Sequence, residues 1–144
     1  MNTHALKPIL RGGRGGRVVR AVALLALCSA YLQGALTKSF DLAGAAAEMA
    51  HFGLHPPGPI AIAVIGFELS MCVLVLSGVF RWLGALALGA FTLAATFLAF
   101  RFWMLPPGMD RAMATNGFFE HLGLVGAFLL VALQDLRRGK TSPD

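Results

Sequence analysis

Four apolar runs, Val18–Leu36, Pro59–Phe80, Trp82–Phe100 and Gly117–Leu133, set the terms on which this chain can fold. Each has roughly 17 to 22 residues, the length that crosses a ~30 Å hydrocarbon core at about 1.5 Å per residue. A membrane-spanning strand needs only about ten residues and alternates in polarity, which these runs do not. A soluble helical bundle is the competing solution, and the composition argues against it. Hydrophobic residues make up 57% of the chain and charged residues 13%, where soluble domains sit near about a quarter charged. At 144 residues the chain is expected to form one domain. Its apolar content, with a mean hydropathy of +0.71, exceeds what one small water-soluble core can hide. The sequence therefore predicts an all-α membrane protein, a four-transmembrane-helix bundle with the lipid bilayer as its solvent.

The third run carries its own ruler. Trp82 and Trp103 bracket it, and tryptophan favours the headgroup boundary because its ring is apolar while its N–H wants a partner. Basic residues supply the orientation. The N-terminal stretch holds Lys7, Arg11, Arg14, Arg17 and Arg20, Arg81 separates runs two and three, and Arg137, Arg138 and Lys140 follow run four. Four crossings put these nine of the twelve basic residues on one side, leaving Lys38, Arg101 and Arg111 on the other. Positive residues stay cytoplasmic, so a multi-pass membrane protein with both termini inside is expected. The expected organisation is a basic cytoplasmic tail over residues 1–17, a membrane domain over 18–136 and a short basic tail over 137–144. The "RGGRGGR" stretch is too short to favour RNA binding over a lipid-facing anchor, so no nucleic-acid partner is expected. Run one also has the outline of a signal peptide ending near Cys28-Ser29-Ala30. Cleavage there would leave three spans and put the basic C-terminus on the wrong side.

Run two contains a glutamate, Glu68, ~12 Å from its outer boundary. An unpaired carboxylate at that depth costs about 2.5 kcal/mol or more, so Glu68 is expected to face the bundle, paired or protonated. Partners cluster toward the outer half: Tyr31 and Lys38 on helix one, Arg101 closing helix three, and Asn116, Glu120 and His121 opening helix four. Tyr31, Gly34 and Lys38 share one helical face, as do Asn116, Glu120, Gly123 and Ala127. Arg101, Glu120 and His121 are the expected neighbours of Glu68. Ala85, Gly89, Thr92, Thr96 and Ala99 form a small-residue stripe suited to close packing in lipid. This polar, outward-facing pocket has two readings: a site for a ligand, proton or quinone, or a network that fixes helix register.

Between runs one and two, Leu42, Ala45, Ala46, Met49 and Phe52 fall on one face and Asp41, Glu48 and His51 on the other. That pattern predicts a short interfacial helix, ended by Gly53 and the Pro56-Pro57 pair. Glu48 and His51 have the E-x-x-H spacing of di-iron bundles, but the pair is not repeated and no metal site is expected. Cys28 and Cys72 lie deep in runs one and two without a C-x-x-C motif, and read as small apolar fillers. No pair of histidines lies at mid-depth for a haem, and no nucleotide-binding motif is present.

The order of "GALTKSFDLAGAAAEMAHFGLHPP", then Glu68, "GVFRWLGALAL", "ATFLAFRFW" and "NGFFEHLGLVGAFLLVAL" resembles the DoxX family of small four-helix bacterial membrane proteins, from Val18 to Asp135. One position departs from the family pattern. Relatives often carry a histidine just before the Phe-Trp pair of helix three, where this chain has Arg101, so any role of that histidine is lost here unless Arg101 or His121 substitutes for it. The resemblance implies association with membrane redox chemistry. The family name derives from a subunit linked to a terminal quinol oxidase, other members resemble thiosulfate:quinone oxidoreductase subunits, and others are linked to complexes that handle oxidative or thiol stress. On that basis the chain is expected to be an accessory or redox-linked subunit, with a quinone as the possible cofactor and an oxidoreductase subunit as partner. A small-solute permease or channel using the outer pocket, and a purely structural partner-binding bundle, are the alternatives.

Overall fold

The computed structural model describes residues 13–139, and no strand occurs among the described residues. The N-terminal tail up to residue 12, with Lys7 and Arg11, and the end of the C-terminal tail from Lys140 lie outside the described residues. The helices are α1 (Arg14–Phe40), α2 (Leu42–His51), α3 (Pro57–Ser77), α4 (Arg81–Ala99) and α5 (Met109–Gly139), with a 3-10 turn at Phe102–Met104. All but α2 are long and apolar enough to cross a membrane. Two of the four helices extend well past their apolar runs. α1 begins at Arg14 and α5 at Met109, because hydropathy marks where lipid touches a helix, whereas backbone hydrogen bonding continues into water.

The ends of the helices follow from local chemistry. Asp41 caps α2 by accepting a 2.8 Å hydrogen bond from the Gly44 amide. At the other end Gly53 takes a left-handed φ of 76°, the Gly53 amide donates to Ala50 and the Leu54 amide donates to Met49 at 2.9 Å. This is a Schellman stop, and Leu54 packs on Met49 as that motif favours. Ala45 and Met49, on the apolar face of α2, are buried against Ala61 in the first turns of α3. Leu42, expected on the same face, is half exposed. α3 stops at Gly78, whose φ of 87° a side chain would disfavour.

α4 and α5 share the most extensive contact, and α3 packs against both α1 and α4. Approach is set by small residues. A Cβ on Gly84 would come within 2.9 Å of the Met71 carbonyl and the Leu74 Cβ, so α3 and α4 meet nearly backbone to backbone there. Ala85, Gly89, Thr92 and Thr96 are buried along α4 as the stripe predicts, whereas Ala99 is exposed. The half of the bundle nearer the termini is filled by Leu24, Cys28, Cys72, Val75, Leu88 and Phe128. Both cysteine thiols are free and fully buried, and the Cys72 Sγ donates a weak 3.9 Å hydrogen bond to the Cys28 carbonyl. Outward faces carry Val18, Val22, Ile62, Val73, Phe97 and Leu130, all more than half exposed, which is the surface a bilayer covers.

Asp135 ties the termini end together. Its Oδ1 lies 3.8 Å from the Arg20 Nη2 and 3.6 Å from the Arg81 Nη1, and its Oδ2 accepts 3.2 Å from the Trp82 amide. That amide opens α4 and has no partner within its own helix, so the carboxylate supplies one. Trp82 therefore sits partly buried against the core, while Trp103, in the 3-10 turn, is 48% exposed.

Candidate functional site: a cavity at the α2 end

A cavity of about 530 Å³ opens at the end of the bundle where α2 lies. Tyr31, Gly34 and Lys38 from α1, Glu68 from α3, Phe91 and Thr92 from α4 and His121 from α5 line it, with Glu48 and Phe52 on the α2 side. Its wall is mostly apolar, with a few polar groups converging, the usual make-up of a small-molecule site.

Glu68 is the most buried charged residue in the cavity, with 5% of its surface exposed. It faces the interior of the bundle, as its cost in lipid requires. Its neighbour is Lys38, whose Nζ stands 3.7 Å from Oε2. Lys38 sits in the last turn of α1, yet its side chain runs back along the helix. It passes beside Gly34 one turn earlier, where an added Cβ would stand 3.6 Å from the ammonium, an ordinary van der Waals contact. The separation exceeds hydrogen-bond length, and Glu68 Oε2 is buried with no hydrogen-bond partner among the described residues. A buried acceptor left unsatisfied costs about 1–3 kcal/mol.

The other polar groups have fixed roles. Thr92 donates to the Leu88 carbonyl at 2.6 Å, so in its short contact with Thr92 the Tyr31 hydroxyl must be the donor. The phenolic oxygen of Tyr31 keeps acceptor capacity. His121 Nδ1 lies 2.9 Å from the Gly117 carbonyl, and since a carbonyl only accepts, Nδ1 carries a proton. In the neutral ring Nε2 is then an acceptor. The imidazole also lies against Phe100, with ring centroids 4.7 Å apart. Phe100 reaches that place because position 117 is glycine: a Cβ there would come within 2.6 Å of the Phe100 ring.

Of the residues expected around Glu68, the structure brings Tyr31, Lys38 and His121 to the cavity and leaves Arg101, Asn116 and Glu120 exposed outside it. Arg101 follows the end of α4 and turns away at the start of the 3-10 turn. On α5 the expected interior face, Asn116–Glu120–Gly123, is off by one residue, and one residue is a rotation of about 100°. Gly117, His121, Leu124 and Phe128 point inward instead. At the position where relatives carry a histidine, Arg101 is exposed, while His121 stands at the cavity wall beside Phe100. Two contributors were missed by sequence reasoning. Thr92 was legible only as a small packing residue, and Glu48, at the cavity mouth, only as the wet face of α2. No group of three or more potential metal ligands occurs among the described residues.

The DoxX family model matches residues 19–101, which span α1 to the end of α4 and include Tyr31, Lys38, Glu68 and Thr92. No curated protein and no solved structure matches the chain. With more than half of its length matched and four membrane-length helices in the expected order, the chain is an integral membrane protein of the DoxX family.

Proposed function

We propose that the cavity holds the headgroup of a quinone and that the protein serves as a redox-linked accessory subunit of the bacterial inner membrane, with both termini cytoplasmic. The observation that carries this reading is the pair formed by Lys38 and the orphaned Oε2 of Glu68 in a largely apolar recess. A quinone carbonyl is only an acceptor, and the Lys38 ammonium is a donor with nothing closer than 3.7 Å from Glu68 to hold it. A quinol hydroxyl is a donor, and Glu68 Oε2 is an acceptor without one. The pair therefore suits both oxidation states of such a ligand. Phe52, Phe91 and Phe100 line the same cavity as these polar groups.

When bound, a quinone supplies two-electron, two-proton redox chemistry. This chain's residues orient the headgroup, exclude water and hold a proton at the Glu68 carboxylate. The electrons would come from a partner oxidoreductase subunit. Binding is favoured over permeation because Phe128, Leu88 and Val75 are fully buried beyond the cavity, which makes it a blind recess. The test is organic extraction of protein purified in mild detergent. Wild type should carry close to stoichiometric quinone, and Glu68→Gln should retain its melting temperature but carry several-fold less. Wild-type protein free of quinone, whose melting temperature is unmoved by added short-chain quinone, would refute the proposal.

A further inference from the structure

A second recess, of about 360 Å³, lies at the opposite end of the bundle, among the start of α1, the end of α3, the start of α4 and the end of α5. Its lining is Arg17, Arg20, Ala21, Leu24, Leu76, Arg81 and Arg138. Four arginines thus line one recess in a chain with twelve Lys and Arg residues in all. We propose that this recess is a binding site for the phosphate headgroup of an anionic phospholipid.

Three observations support it. Arg17, Arg20, Ala21 and Leu24 follow the i, i+3, i+4, i+7 spacing of one helix face, so α1 presents two guanidiniums and an apolar floor together. Asp135 positions the Arg20 and Arg81 side chains without satisfying them: its Oδ1 stands 3.8 and 3.6 Å away, beyond hydrogen-bond length. Arg81 is anchored further by its Nε, which donates at 2.7 Å to the Val75 carbonyl and leaves its terminal nitrogens for another acceptor. Planar guanidiniums held in this way match the oxygens of a phosphate. A lipid fits better than free phosphate because the recess is at a membrane-facing rim. The next stripe on α1, Val18, Val22 and Leu25, is more than half exposed and apolar, a track for acyl chains beside the headgroup. Basic pockets between membrane helices recognise anionic headgroups by this combination.

Native mass spectrometry of the full-length protein with phosphatidylglycerol and phosphatidylcholine of matched chains tests the assignment. The wild type should retain phosphatidylglycerol preferentially. Arg17 is exposed, so Arg17→Gln should leave the melting temperature unchanged while lowering that retention about fivefold, the effect of one basic residue at a membrane surface. Arg17→Lys should recover most of the loss, and Arg111→Gln, at the other end, should have no effect. Equal retention by wild type and Arg17→Gln would overturn the proposal. So would an equal loss in Arg111→Gln. Displacement of the lipid by millimolar inorganic phosphate would assign the recess to a free anion instead.

Discussion

Lys38 stands 3.7 Å from the buried carboxylate of Glu68, and this pairing governs the energetics of the cavity. Removing the ammonium leaves a carboxylate with 5% exposure facing a low-dielectric wall. Lys38→Met should therefore destabilise the protein by about 3 kcal/mol, read as a lower melting temperature in detergent. Glu68→Gln should leave the melting temperature where it is, since a long ammonium can swing toward the membrane surface. In the double variant Glu68→Gln should recover most of the Lys38→Met loss; strictly additive effects would show that the two groups do not interact. That Glu68 turns inward was legible in the sequence, because lipid offers a carboxylate no alternative. Lys38 was among the candidate partners, but nothing in the sequence singled it out over Arg101. Arg101 is larger and closes the neighbouring helix, but its backbone lies beyond the end of α4, and a charge count along the chain carries no information on which way a helix end turns.

At the scale of elements, the small residues divide into those that touch and those that do not. Gly84 and Gly89 lie on the buried side of α4, with clearances for an added Cβ of 2.9 Å to the α3 backbone and 3.4 Å to the Phe128 Cβ. Gly84→Ala should lower stability by about 1–3 kcal/mol, because a carbonyl cannot move aside as a side chain can. Gly89→Ala should be tolerated and Gly89→Leu should disturb assembly, while Gly123→Ala, with nothing within 4 Å, should be neutral. Melting curves of the four variants would contradict this packing if Gly84→Ala and Gly123→Ala behaved alike. The stripe on α4 was readable because small residues at helical spacing have one main use in lipid. The face of α5 was not, since Asn116, Glu120 and Gly123 form as regular a pattern as the true interior face one residue on. Contacts across the bundle distinguish them: Gly117 and His121 meet Phe100, and Phe128 meets Tyr31.

For the molecule as a whole, the four apolar runs predicted the number, order and character of the membrane helices, and the structure moves only their ends. The proposed orientation rests on the uneven placement of cations, and it predicts that reporter fusions at residue 55 and at the C-terminus respond from opposite sides of the membrane. The same sidedness would put the proposed quinone site toward the outer leaflet and the arginine recess toward the cytoplasm. The most direct measurement is photolabelling of the full-length protein with an azidoquinone, followed by peptide mapping. Labelled peptides should come from Tyr31–Lys38, from Phe91–Phe100 and from the turn of α5 holding His121, and unlabelled quinone should compete. Labelling spread over the lipid-facing residues, such as Val18, Val73 and Leu130, and insensitive to competitor would contradict a quinone site in the cavity.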